Sequence, residues 1–307
     1  MQQQLQGAAR LGSGDARPGR PDADLTFRGT PASRLRYNDN DIGNNCMTDA
    51  AVLLDRLPSG ALQVTINRPE KLNAVDLPTS ARLREVMAMA GDDDTIRTVI
   101  LCGAGVAAFS AGYDIHEMAD FDRKTIIASI VERDPLLWEI ATHPKVVICA
   151  INGVAHGVGA LIAAASDIRI GGPATNFRVT ATRYGSANAT WTLPAIVGMP
   201  MAKEILLTGR AVDAQECLRI GLLNHLVPED QVIAKAIELA ESVAANPPQG
   251  ALSVKALLTA SIGKGLEAQY HAEQVMMIAA PSRYRGGGIF EEFLAADGRG
   301  EQQDAAG

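Results

Sequence analysis

The hydrophobic pattern divides the chain near residue 47. Residues 1–46 carry no apolar periodicity longer than a few positions, whereas from Met47 onward apolar runs alternate with turn signals. Residues 51–54 and 62–67 are short apolar-rich runs separated by Pro58-Ser59-Gly60, which predicts a β-hairpin. Residues 78–90 place Leu83, Val86, Met87 and Ala90 at helical spacing. The β-branched runs 98–102 and 146–151 predict buried strands, the first ending at Gly103-Ala104-Gly105 and the second at Asn152-Gly153. Residues 160–165 predict a helix and 168–170 another strand.

After about residue 193 the pattern turns helical, over 201–208, 214–220, 231–244, 250–261 and 266–279, interrupted by one strand at 223–227. A β-α-β rhythm followed by helices predicts an α/β core with parallel strands over 47–246 and a helical C-terminal extension over 247–295. Residues 1–46, rich in Gln, Gly, Arg, Pro, Asp and Asn, are expected to form a disordered tail, and 296–307 a second one. Six arginines interspersed with five aspartates in 1–46, and no apolar stretch after the start, argue against a secretory signal or transit peptide.

Composition narrows the function classes. With 47% hydrophobic residues in 307, wholesale disorder is excluded, and no run of about 18 apolar residues predicts a membrane span. The 28 Lys plus Arg against 35 Asp plus Glu leave a net charge of −7, which supplies no basic footprint for nucleic acid or an anionic membrane. Cys46, Cys102, Cys149 and Cys217 are scattered without disulfide or metal-ligand spacing, so a cytoplasmic protein without a metal is expected.

Two glycine-bearing loops follow buried strands. The first runs Ala108-Phe109-Ser110-Ala111-Gly112-Tyr113-Asp114-Ile115-His116-Glu117. The second runs Asn152-Gly153-Val154-Ala155-His156-Gly157-Val158-Gly159-Ala160 into a small-residue helix. Glycines at a strand-to-helix junction let backbone approach a ligand closely, and a helix start offers free N–H groups and a dipole that favours negative charge. Two such loops converging would supply two donors to one developing oxyanion; glycine loops also serve as plain turns.

The run Arg68-Pro69-Glu70-Lys71-Leu72-Asn73-Ala74, the two loops, and the downstream Leu207-Thr208-Gly209-Arg210, Asp213-Ala214-Gln215-Glu216 and Gly221-Leu222-Leu223-Asn224 together resemble the crotonase (enoyl-CoA hydratase/isomerase) superfamily, in its usual order. The resemblance spans roughly residues 51–294 and implies a β-β-α spiral, trimers or hexamers, and acyl-CoA thioester substrates. It further implies an oxyanion hole from the backbone N–H groups of Tyr113 and Val158, where the residue types need not match because backbone does the work. Contacts to coenzyme A would fall on Lys71, Leu72 and Ala74, with Ala111, Asp114, Ile115 and His116 along the first loop. No cofactor is implied, since coenzyme A enters as part of the substrate.

The sequence departs from the family's hydratases, which use two glutamates. At those positions stand Leu161 and Ala181, and neither transfers a proton. The first loop, Asp134-Pro135-Leu136 and Leu223-Asn224-His225 also resemble the methylmalonyl-CoA decarboxylase branch, whose chemistry needs little acid–base machinery; Tyr184 or Asn188 would then orient a carboxylate. Acyl-CoA hydrolysis and a catalytically inactive CoA-ester-binding protein are the further alternatives. His156, two residues before Val158, is either an acid–base group or a space-filling side chain beside the helix start. Glu132, Arg133 and Asp134 read as a charged helix end, Asp167 as structural, and Trp191 as acyl-pocket lining or buried packing. Residues 290–293 resemble the family's final helix without its usual lysine pair.

Overall fold

The structure is a computed structural model and describes residues 50–279. The tails expected at 1–46 and 296–307, and the final helix expected near Phe290, lie outside the described residues.

β1 (Val52–Arg56) and β2 (Ala61–Ile66) form the predicted hairpin, in antiparallel register from Val52 opposite Ile66 to Arg56 opposite Leu62. The turn between them closes with Leu57 N–H donating to Ala61 O at 2.8 Å. Helix α1 (Leu77–Asp92) follows, its start capped by Asp76, whose carboxylate accepts from Thr79 N–H at 2.9 Å. Each later turn of chain lays one strand in a large sheet and the next in a small one. The pairs are β3 (Thr98–Gly103) and β4 (Ala108–Ser110), β5 (Val146–Ile151) and β6 (Val154–His156), and β7 (Ile168–Gly171) and β8 (Asn176–Arg178). Helices α2 (Ile115–Ala119), α3 (Arg123–Arg133) and α4 (Pro135–Ala141) separate the first two pairs, and α5 (Val158–Ala165) the second two.

The small sheet runs β4-β6-β8-β9, closed by an antiparallel β9 (Val212–Asp213). The large sheet runs β1-β2-β3-β5-β7-β10, parallel from β2 to β10 (His225–Leu226). This two-sheet winding is the expected β-β-α spiral. Helices α6 (Leu193–Val197), α7 (Met199–Thr208), α8 (Ala214–Arg219), α9 (Val232–Ala245), α10 (Pro248–Ser261) and α11 (Leu266–Ala279) complete the described chain.

Burial on both faces explains why the central strands read as continuous apolar runs. Val99 and Leu101 of β3, with Val147, Cys149 and Ile151 of β5, face a core shared with α1, α4 and α5. Ile100, Cys102, Val146, Ile148 and Ala150 face the opposite way, against Val232, Ala236 and Ala240 of α9. Two buried asparagines staple the corners where the chain leaves the large sheet. Asn152 Nδ2 donates to Gly103 O and Gly105 O at 2.7 Å, and Asn73 Nδ2 donates to Ala108 O at 2.7 Å.

Three features differ from the sequence expectation. β4, β6 and β8 are three residues each, too short for a period-two pattern to register. The strand expected at 223–227 is reduced to His225–Leu226, because Leu222 and Leu223 turn into the main core instead. Helix α3 lacks an apolar stripe facing inward: only Ser129 and Arg133 are buried, while Ile126, Ile127, Ile130 and Val131 are exposed.

Candidate active site

The motif at 68–75 is fastened along the first glycine loop by main-chain bonds. Ala111 N–H donates to Leu72 O at 2.9 Å, Val75 N–H to Gly112 O at 2.8 Å, and Asp114 N–H to Val75 O at 3.0 Å. Leu72 and Asn73 adopt left-handed conformations that turn the segment into this register. Arg68 locks the arrangement, donating Nη1 to Ala74 O at 2.6 Å and pairing Nη2 with Asp76 and Asp114 at 3.0 and 3.2 Å. Lys71, Leu72, Ala74, Ala111, Asp114, Ile115 and His116 therefore share one strip of structure.

Asp114 is buried and fully engaged. It caps α2 by accepting from His116 N–H at 3.1 Å and pairs with Arg68 and with Lys71 Nζ, each at 3.2 Å. Burial opposes its ionisation, but hydrogen bonds from Lys71 and Arg68 outweigh that and hold the carboxyl below its ordinary range. The Lys71 side chain remains about half exposed at the same time. Ile115 and His116 are also exposed.

The two glycine loops touch. A Cβ placed on Gly112 would lie 3.3 Å from His156 O and 3.6 Å from Gly157 Cα, so the two backbones are in van der Waals contact. Tyr113 and Val158 are the residues that follow this contact. Val158 opens α5, whose cap residue Gly157 has φ +49° and supplies no side chain. Among the described residues neither Tyr113 N–H nor Val158 N–H has a protein acceptor; Asp114 N–H, next along the first loop, donates to Val75 O, while on the second loop Gly159 and Ala160 share the open first turn of α5 and Leu161 N–H is the first to be satisfied, by Gly157 O at 3.1 Å. Thr180 Oγ1 comes within 3.5 Å of the position a Cβ on Gly157 would take, placing a hydroxyl beside the same corner.

Leu161 and Ala181 are buried in the same apolar cluster as Val158. His156 Nε2 is hydrogen-bonded to the Asn176 side-chain amide at 2.7 Å, across the parallel β6–β8 pair. Its neighbour Ala155 faces the main core, and strand alternation turns the imidazole to the other face of the small sheet, with Asn176 and Arg178. Tyr184 is 78% exposed on the short helical turn Ala181–Tyr184, and Asn188 is exposed beyond it. Trp191 is 47% exposed and lies against Trp138, ring centroids 6.0 Å apart, so a buried packing role does not hold for it. Asp167 is structural: its carboxylate accepts from Val147 N–H at 2.7 Å and from Lys255 Nζ at 2.6 Å.

One side chain at this corner carries no local sequence signal. Arg133, read as part of a charged helix end, is the last residue of α3 but is 2% exposed, with its guanidinium 4.5 Å from the Tyr113 ring centroid. Nothing in the local pattern marks an arginine in Ile-Val-Glu-Arg-Asp-Pro as buried; its partners lie 12 to 20 residues away. Burial, and secondarily the charge of Asp134, push the Tyr113 phenol up to about 12, with Arg133 opposing. Alkaline absorbance titration should therefore show a tyrosine step near pH 12 that Tyr113→Phe deletes. Because the folded value lies above the unfolded value of 10, the protonated phenol's contribution to stability is complete below pH 10 and lost as pH rises toward 12. A wild-type titration without a step near pH 12, unchanged by Tyr113→Phe, would contradict the burial.

Among the described residues no cluster of three His, Cys, Asp or Glu is disposed to hold a metal ion, and no helix is long and apolar enough to cross a membrane. The sequence model of the enoyl-CoA hydratase/isomerase family matches residues 56–292. The chain is 31% identical over 229 residues to 1,2-epoxyphenylacetyl-CoA isomerase of Escherichia coli, covering 72% of this chain and 87% of that one. It is 36% identical over 212 residues to the short-chain-enoyl-CoA hydratase of Clostridium acetobutylicum, covering 66% and 78%. Among solved structures, enoyl-CoA hydratase from Bacillus anthracis superposes with a TM-score of 0.76 at 26% identity, over 81% of this chain and 97% of that one. A spiral of paired sheets, two touching glycine loops in the expected order and a match running through nearly the whole described chain agree: the chain belongs to the enoyl-CoA hydratase/isomerase family.

Proposed function

We propose that the protein acts on acyl-CoA thioesters, holding the thioester oxygen between the N–H groups of Tyr113 and Val158 and stabilising the enolate formed at the adjacent carbon. One observation carries this reading: two main-chain donors without a protein acceptor sit on loops whose glycine backbones are in contact. The thioester oxygen is nearly neutral in the ground state and gains charge as the enolate forms, so fixed donors favour the transition state over the bound substrate. The α5 dipole adds to this at Val158. The strip of Lys71, Leu72, Ala74, Ala111, Asp114, Ile115 and His116 would receive coenzyme A, with the exposed Lys71 ammonium reaching phosphate. The reading needs no metal or redox cofactor. Exposed apolar side chains on α10 and α11, among them Val254, Leu258, Leu266 and Tyr270, fit burial against further copies in a homotrimer or hexamer.

A second reading, decarboxylation of a methylmalonyl-CoA-type substrate, is favoured by Leu161 and Ala181. Where carbon dioxide leaves, the electrons of the breaking C–C bond form the enolate directly, and the enolate then takes a proton from solvent. No carboxylate is required at either apolar position. Acyl-CoA hydrolysis is compatible with the same pocket, and binding without turnover is the alternative outside catalysis.

Mass-spectrometric turnover of crotonyl-CoA, methylmalonyl-CoA and cyclic enoyl-CoAs separates these. Hydration of crotonyl-CoA means that another group replaces the two glutamates. Carbon dioxide loss from methylmalonyl-CoA without hydration supports the second reading. Tight binding of thioesters with no turnover of any of them counts against an enzyme.

A further inference from the structure

Helix α2, which carries the chain away from Tyr113, is five residues long and buries none of them. A helix this short is not stable alone, and α2 has no apolar anchor in the core. What it rests on is Arg133. Tyr113 precedes this helix, Glu117 lies within it and Phe121 follows it. Arg133 meets all three. Its guanidinium carbon lies 4.5 Å from the Tyr113 ring centroid and 5.8 Å from that of Phe121, and Nη2 pairs with the Glu117 carboxylate. Glu117 in turn accepts from Leu77 N–H at 3.1 and 3.3 Å, at the start of α1. Asp134 is the other charged group close to the Tyr113 phenol.

An arginine is an expensive way to fill a core, because removing its charge from water is repaid only by well-placed partners. Here the charge is buried with Nε left without any hydrogen-bond acceptor among the described residues. A leucine or methionine would fill the volume without that cost. The guanidinium differs in meeting two rings and a carboxylate at once, which fixes orientation as well as position. On α3 the only other buried residue is Ser129, so Arg133 is also the main attachment of that helix.

We infer that Arg133 is a positioning residue, holding the Tyr113 main chain so that its N–H points at the thioester oxygen. This rests on the oxyanion reading above and deepens it. Arg133 acts mainly on the strength of the oxyanion contact and leaves Lys71, Leu72, Ala74 and Ala111, fastened separately by Arg68 and by main-chain bonds along the first loop, unaltered.

The test uses the full chain and a cinnamoyl-CoA thioester bearing a para-amino donor, whose absorbance moves to longer wavelength when its carbonyl is polarised. Wild type should bind it with a red shift. Arg133→Lys keeps the charge but loses the guanidinium that meets both rings and the carboxylate at once. It should bind the probe within about threefold of wild type with less than about half the shift, and lower kcat by about tenfold to a hundredfold on any thioester turned over. Glu117→Gln keeps an acceptor for Leu77 N–H while loosening Arg133, and should lie between the two. Faster amide exchange over 113–121 in both variants, with the rest of the fold protected, distinguishes local loosening from unfolding. A wild-type shift and kcat in Arg133→Lys overturn the inference alone. Absence of a shift in wild type overturns the oxyanion reading and the inference with it.

Discussion

Gly159→Ala is expected to lower thioester turnover by about a hundredfold or more. A Cβ at Gly159 would lie 2.4 Å from Ser110 O, 2.8 Å from Ser110 Cβ and 3.1 Å from Ser110 C. Two of these three are main-chain atoms of β4, which pairs with β6 and cannot swing aside like a long side chain. Relief must come from moving the start of α5 away from the first loop, and Val158 N–H moves with it. A displacement of about 1 Å at a reacting centre costs about 10²-fold, and full loss of one oxyanion donor about 10²–10³. Helix propensity works the other way, since alanine is favoured over glycine by about 1 kcal/mol within a helix. The variant should therefore stay folded while losing activity and the probe's red shift. Gly265→Ala, where a Cβ meets nothing within 4 Å, is the matched control. Near-wild-type kcat in Gly159→Ala would mean that the spacing of the two loops does not matter to the chemistry.

Lys255→Met is expected to destabilise the fold by about 3 kcal/mol, with α10 losing its attachment. Lys255 is the one buried residue of α10, 9% exposed. Its ammonium donates to Asp167 Oδ2 at 2.6 Å and to Lys145 O at 2.9 Å. Breaking a buried ion pair from one side typically costs about 3–5 kcal/mol, because the remaining charge is left without its partner. The lower end applies here, since the Asp167 side chain keeps about a quarter of its surface in water and still accepts from Val147 N–H. Chemical denaturation should register the loss. Adding Asp167→Asn to the variant should recover part of it by removing the stranded carboxylate. An unchanged midpoint in Lys255→Met would mean that α10 is held by its apolar contacts alone.

Those parts of the protein whose signal is local are legible in its residues alone. The hairpin is readable because Pro58-Ser59-Gly60 separates two apolar runs, and β3 and β5 because every side chain in them is buried. The family was legible for the same reason: its motifs are contiguous runs, each a few residues long, and their order survives in one dimension.

Features that join residues far apart in the chain come into being only on folding. The small sheet exists because β4, β6 and β8, each too short to announce itself, are brought into parallel register by successive turns of the spiral. His156 meets Asn176 only across that register. Lys71 and Asp114 stand 43 positions apart in sequence and 3.2 Å apart in space. Arg133 illustrates the limit best. In sequence it is one charge in a charged helix end; in space it is buried between two rings and a carboxylate from the segment that leaves the first loop. Whether a charge is solvated or buried is set by what the rest of the chain packs around it, and no window of neighbouring residues contains that information.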